Sequence, residues 1–94
     1  LDKQGFHEGR AEKKIVLYAL STCIWCRKAR ELLDRLGLAY RFFYVDLLVG
    51  EERRAVEADM EGYNPRGSFP TIVVDGREVI IGFDEARIRS VCDG

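Results

Sequence analysis

The chain predicts an α/β fold of order β-α-β-α-β-β-α, a four-stranded mixed sheet flanked by helices. Three observations predict it. A continuous apolar run, Ile15-Val16-Leu17-Tyr18-Ala19, gives way to helical periodicity from Cys23 onward. A second β-rich run, Tyr40 to Val45, follows that helix, and strand–helix–strand order implies parallel pairing through a right-handed crossover. Two further β-rich runs, Pro70 to Val74 and Glu78 to Ile81, flank Asp75-Gly76, a strong hairpin cue.

The 94 residues suffice for one domain, and a 47% apolar fraction argues against disorder. We divide the chain into a polar, mobile leader over residues 1–13 and a folded domain over 14–94. The leader lacks the apolar stretch of a signal peptide. A formal net charge of −1 supplies no basic field for nucleic acid or an anionic membrane. No apolar run approaches the ~20 residues that span a bilayer. Three cysteines, an odd count, make a poor disulfide scaffold and fit a reducing compartment, so a cytoplasmic location is expected.

Ile15 to Ala19 is short and partly β-branched, which suits a strand buried on both faces. In the helix that follows, Cys26, Ala29, Leu33 and Leu36 line one face, with Leu32 beside them. Arg27–Glu31, Arg30–Asp34 and Glu31–Arg35 are i,i+4 pairs on its other faces. Gly37 is placed to end it in left-handed geometry. Residues 50–60 are charged, with a narrow stripe of Ala55, Val56 and Met60, and read as a surface helix. Residues 62–67 carry Gly, Asn and Pro and read as a loop. Gly82 ends the last strand, and Asp84 is an N-cap for a final helix with Ile88, Val91 and Cys92 inward.

Cys23 and Cys26 carry the chemistry. Cys23 follows a buried strand and opens a helix, whose free N–H groups and partial positive charge favour thiolate over thiol. Cys26 lies one turn on, within the Cα separation of about 5.5–6 Å that a disulfide needs. The spacing thus supplies a nucleophile, Cys23, that attacks a substrate disulfide, and a resolving thiol, Cys26, that breaks the mixed disulfide.

The segments Thr22-Cys23-Ile24-Trp25-Cys26-Arg27-Lys28-Ala29, Ser68-Phe69-Pro70-Thr71-Ile72-Val73-Val74-Asp75-Gly76 and Gly82-Phe83-Asp84-Glu85 resemble, in order and spacing, the glutaredoxin branch of the thioredoxin-like superfamily. The resemblance covers roughly residues 14–92. It implies a glutaredoxin-type fold and a thiol–disulfide oxidoreductase that reduces protein or mixed disulfides with electrons from a low-molecular-weight thiol. It implies that Pro70 is cis and faces the cysteines, that the backbone of Phe69 pairs with the bound thiol compound, and that Gly82, Phe83 and Asp84 help hold its anionic end. Thr22, Trp25, Lys28 and Arg66 complete the expected thiol-binding set. Trp25 is expected exposed as a substrate platform, the alternative being an aromatic packed on the domain. Lys28 and Arg66 are either groove cations or solvated charges.

Departures from the family pattern qualify the co-substrate. Ile24-Trp25 replaces the usual Pro-aromatic pair, Ile81 replaces the first glycine of the closing motif, and Leu20 replaces a frequent lysine. Glutathione or another small anionic thiol is the expected co-substrate, with no tightly bound cofactor and no metal. Two alternatives stay open. Gly82-Phe83 resembles electron donors reduced by thioredoxin reductase, which would make a flavin-dependent disulfide reductase a partner. An iron–sulfur cluster shared by Cys23 of two chains is the other. A zinc site would need His7 and Cys92 beside the cysteine pair; Cys92 reads instead as a small core residue. Disulfide-containing proteins are the expected partners, and the chain is expected to be a monomer. Phe42, Phe43 and Tyr44 read as strand packing, not a stacking surface for bases.

Overall fold

A computed structural model of the chain describes residues 2–94. Its elements are β1 (Gln4–His7), β2 (Ile15–Ala19), α1 (Ile24–Arg35), β3 (Tyr40–Tyr44), a 3-10 turn (Val45–Leu47), α2 (Gly50–Tyr63), β4 (Thr71–Val74), β5 (Glu78–Ile81) and α3 (Glu85–Cys92). The sheet runs β1-β3-β2-β4-β5. The β2–β3 pair is parallel, and the other three pairs are antiparallel. The mixed sheet and the helix order agree with the sequence reading.

The strand count does not. The sheet has five strands rather than four, because Gln4–His7, expected in the mobile leader, pairs antiparallel with β3. Leu1, where that leader begins, lies outside the described residues. The physical reason for β1 lies across the sheet. His7 stacks on Tyr40, with ring centroids 4.9 Å apart, and its Nε2 lies 3.3 Å from the Asp34 carboxylate. Gly5 lies against Phe42: a Cβ there would stand 2.9 Å from the ring. Arg10 then ties the connection down through Gly37 and Ala39 backbone bonds and an ion pair with Asp93.

Alternation along β2 sorts the core into two layers. Ile15, Leu17 and Ala19 face α1 and α3, where Cys26, Ala29, Leu32, Leu33, Ile88 and Cys92 are buried. Tyr18 faces the other way, with Val73 of β4, onto Val56 and Met60 of α2. Gly37 adopts φ +70° just past α1, the left-handed geometry that ends a helix without steric cost. Asp75 (φ +54°) and Gly76 (φ +67°) form the β4–β5 turn.

Two local expectations are corrected. Among the described residues, Arg27–Glu31, Arg30–Asp34 and Glu31–Arg35 form no ion pairs. Arg30 turns instead to β3, donates to the Tyr40 and Tyr44 hydroxyls at 3.0 and 2.9 Å, and lies 4.0 Å from the Phe42 ring centre. A planar guanidinium gains more from this stacked, doubly bonded seat than from one solvated carboxylate. The loop expected over 62–67 starts later, since α2 runs through Gly62 and Tyr63 to Asn64, whose N–H closes the helix on Met60. Phe42 is buried and Phe43 and Tyr44 half-buried, so all three pack within the sheet.

Candidate redox site

The β2–α1 junction builds the site. β2 ends at Ala19, and a short turn returns the Cys23 N–H to the Leu20 carbonyl at 3.3 Å. Cys23 is the N-cap of α1, in extended geometry, and its Sγ accepts the Cys26 N–H at 3.2 Å. A sulfur thus occupies the position where a Ser or Asp oxygen ordinarily satisfies a helix donor. The donor comes from the first turn, where the helix field favours negative charge. α1 has no acidic residue in that turn to oppose it.

The two thiols differ in exposure. Cys23 is half-buried and Cys26 is buried at 2% exposure. Burial first, then the bond with Cys23, push the Cys26 thiol up to about 12; the Leu20 backbone N–H pulls the other way, and the Asp46 charge adds to the rise. Cys26 is therefore held as a thiol beneath its partner. Cys92 is also buried and lies in the core behind α1, its thiol pushed up to about 11 by burial. All three cysteines are free.

The expected set falls into two linked groups, one on α1 beside Cys23 and one at the start of β4 and the β5–α3 connection. Trp25 is 55% exposed and stacks on Phe83, with centroids 6.2 Å apart, so it is both exposed and packed. Lys28 Nζ lies 5.8 Å from the Trp25 ring centre. The stack bridges the start of α1 to the β5–α3 connection. The Phe69–Pro70 bond is cis, and Phe69 packs against both core layers. The Gly82 N–H donates to the Pro70 carbonyl at 2.8 Å, with Gly82 at φ +81°, a conformation that suits glycine. Asp84 caps α3 by accepting the Arg87 N–H at 3.1 Å.

Two of these contacts narrow the expected anion seat, because the Gly82 and Arg87 N–H groups already have protein partners. Thr22 is exposed beside Cys23. Arg66 is exposed on the loop before β4, and its backbone N–H bonds to Asn64 Oδ1; among the described residues no hydrogen bond or cation–π pair joins it to Cys23, Trp25 or Phe83. The described residues contain no group of three His, Cys, Asp or Glu arranged to hold a metal. His7 sits against Asp34 and Cys92 lies in the core, so neither stands with the cysteine pair.

Two positioning residues escaped the sequence reading. Asn64, 1% exposed, donates through its amide to the Ser68 carbonyl (3.2 Å), the Ser68 hydroxyl (3.1 Å) and the Thr71 hydroxyl (2.9 Å), and so holds the segment that enters Pro70. The signal available was an Asn immediately before a Pro at a helix end. Asp46, in the 3-10 turn after β3, accepts the Ser21 N–H at 2.8 Å and the Ser21 hydroxyl. Nothing in local periodicity joins residues 25 positions apart, although Ser21 beside the cysteines was a visible polar partner.

A CxxC pair at the N-terminus of the first helix, on a mixed sheet covered by helices on both faces, defines a thioredoxin-like dithiol protein as a class. More narrowly, the chain belongs to the glutaredoxin family of thiol oxidoreductases, whose family model matches residues 15–79. It is 31% identical over 79 residues to an uncharacterized glutaredoxin-like 8.6 kDa protein in the rubredoxin operon of Clostridium pasteurianum, covering 84% of this chain and 97% of that one. The fold matches the crystal structure of Methanosarcina acetivorans methanoredoxin with a TM-score of 0.89 and 40% identity, over 95% of both chains. The glutaredoxin of Methanosarcina mazei Go1 matches with a TM-score of 0.88 and 37% identity, over 95% of this chain and 86% of that one.

Proposed function

We propose that the protein reduces protein and mixed disulfides through Cys23 and Cys26, drawing electrons from a low-molecular-weight anionic thiol. The supporting observation is the asymmetry of the pair: a half-exposed Cys23 sulfur bonded to a first-turn N–H, above a buried Cys26. Cys23 thiolate attacks a substrate disulfide, forming one S–S bond and releasing one substrate thiolate, which takes a proton from solvent. Cys26 then gives up its proton and attacks the Cys23 sulfur, releasing the second substrate thiol. The products are a Cys23–Cys26 disulfide and a substrate reduced by two electrons. Two small thiols restore the dithiol.

Thr22, Trp25, Lys28, Phe69 and Pro70 form the thiol seat in this reading, with Gly82, Phe83 and Asp84 as its far wall and Arg66 as an outlying cation. Glutathione is one candidate thiol. The Trp25–Phe83 stack and the two engaged N–H groups favour a ligand held by Lys28 and the exposed indole of Trp25. The odd cysteine count suits a reducing compartment, and a cytoplasmic location is part of this proposal. No helix of the described residues is long and apolar enough to cross a membrane.

A second reading has its own support. Ile24, Trp25 and Ile81 are each at least half exposed. Ile24 and Trp25 stand beside the nucleophile, and Trp25 leans on Phe83. An apolar rim of this kind suits docking of a protein reductant, such as a flavin-dependent disulfide reductase. The deciding experiment is a disulfide-reduction assay with each donor supplied in turn. Cys23→Ser should abolish turnover with every donor, and Cys26→Ser should trap mixed disulfides. Full activity of Cys23→Ser would overturn the assignment of the nucleophile.

A further inference from the structure

The turn that carries Cys23 is anchored from outside its own helix. Ser21 donates both its N–H and its hydroxyl to the Asp46 carboxylate, one bond to each oxygen. Residue 20, next in the chain, addresses both cysteines: its carbonyl accepts the Cys23 N–H at 3.3 Å, and its backbone lowers the Cys26 thiol against the rise that burial causes. Holding Ser21 therefore holds the backbone that addresses both thiols. Burial raises the Asp46 carboxyl, but the two Ser21 bonds, its own N–H and Arg53 of α2 outweigh this and keep it ionised.

We propose that Asp46 is a positioning residue of the dithiol centre: its carboxylate clamps the Ser21 N–H and hydroxyl and so fixes the Leu20–Thr22 turn that presents Cys23. This rests on the dithiol reading above. The clamp serves the first step, in which Cys23 must be presented to a substrate disulfide.

Three substitutions grade the clamp. Asp46→Ala removes both bonds, Asp46→Asn keeps one oxygen acceptor for Ser21, and Ser21→Ala keeps the N–H bond and loses the hydroxyl bond. Single-turnover kinetics with a chromogenic aromatic disulfide read attack as the first thiol released and resolution as the second, and thermal melting reads the fold. Asp46→Ala should slow attack about tenfold, a loss typical of a misplaced reacting group. Asp46→Asn and Ser21→Ala should fall between it and the native protein. A residue that merely supports the fold would lower the melting temperature and leave attack by the folded protein at its native rate. Asp46→Ala with attack at the native rate, or Asp46→Asn no faster in attack than Asp46→Ala, would overturn the proposal. If the native protein itself releases no thiol, the dithiol reading fails instead, and that outcome is separable from the other two.

Discussion

Asn64→Ala should test whether the entry to Pro70 is held by one side chain. The native amide is nearly inaccessible and serves three acceptors, while its Oδ1 accepts the Arg66 N–H at 3.3 Å. Truncation leaves the Thr71 hydroxyl, fully buried, with its bond to the Ser68 carbonyl at 2.8 Å but without its donor. Ser68 is exposed and recovers water, so its share of the loss is small. A buried acceptor stripped of its donor costs about 1–3 kcal/mol, and the remaining bonds about 0.5–1.5 kcal/mol each. Allowing for the water that Ser68 regains, we expect about 2–3 kcal/mol in total. At about 4–8 °C per kcal/mol for a domain of this size, the melting temperature should fall by about 10–20 °C. Circular dichroism melting gives the first number. Disulfide turnover per folded molecule, measured well below the transition, gives the second, and it should fall several-fold as the Phe69–Pro70 segment loosens. A melting point within about 3 °C of native would refute the accounting, since even one lost buried bond exceeds that. A large drop in melting temperature with native turnover would confine Asn64 to stability.

Three further outcomes follow from the same geometry. With Cys92 pushed up to about 11, only about 0.1% is thiolate at pH 8, so alkylation of the reduced protein there should label Cys23 well before Cys26 or Cys92, read by peptide mass spectrometry. Rapid labelling of Cys92 in the folded protein would contradict its burial. Trp25 is the single tryptophan and stands one residue from Cys26, so its fluorescence should report the site directly. Phe83→Ala should shift and quench that emission, and should weaken anionic-thiol binding about two- to tenfold, the worth of one aromatic contact. Gly5→Val should destabilise the protein by about 1–3 kcal/mol through the clash with Phe42, leaving Cys23 reactivity at its native level.

Elements whose signal is local were legible in the residues. The apolar β2, the helix opened by Cys23, the Asp75-Gly76 hairpin and the Asp84 cap each carry their own chemistry within a few positions. β1 carries almost none. Its four residues include two polar ones and a glycine, and it exists because His7 finds Tyr40 and Asp34 and Gly5 finds Phe42, all more than 25 positions away. The site divides the same way. Cys23 and Cys26 declare themselves by spacing. The Trp25–Phe83 stack, the Asp46–Ser21 clamp and the Asn64 bonds arise only when separate elements converge, so periodicity could not announce them. Arg30 shows the reverse case: its i,i+4 partner was visible, but three aromatic side chains of β3 made a better offer.

The bond from the Gly82 N–H to the Pro70 carbonyl has a consequence for recognition. It fastens the start of β4 to the β5–α3 connection, so the two segments belong to one rigid frame. The Trp25–Phe83 stack adds α1 to that frame. A ligand in the thiol seat proposed above would find its contacts already spaced, with little backbone freedom left to surrender at the moment of association. Preorganisation of this kind lets a molecule of few atoms bind usefully, and it makes discrimination depend on ligand shape and charge rather than on closure around it.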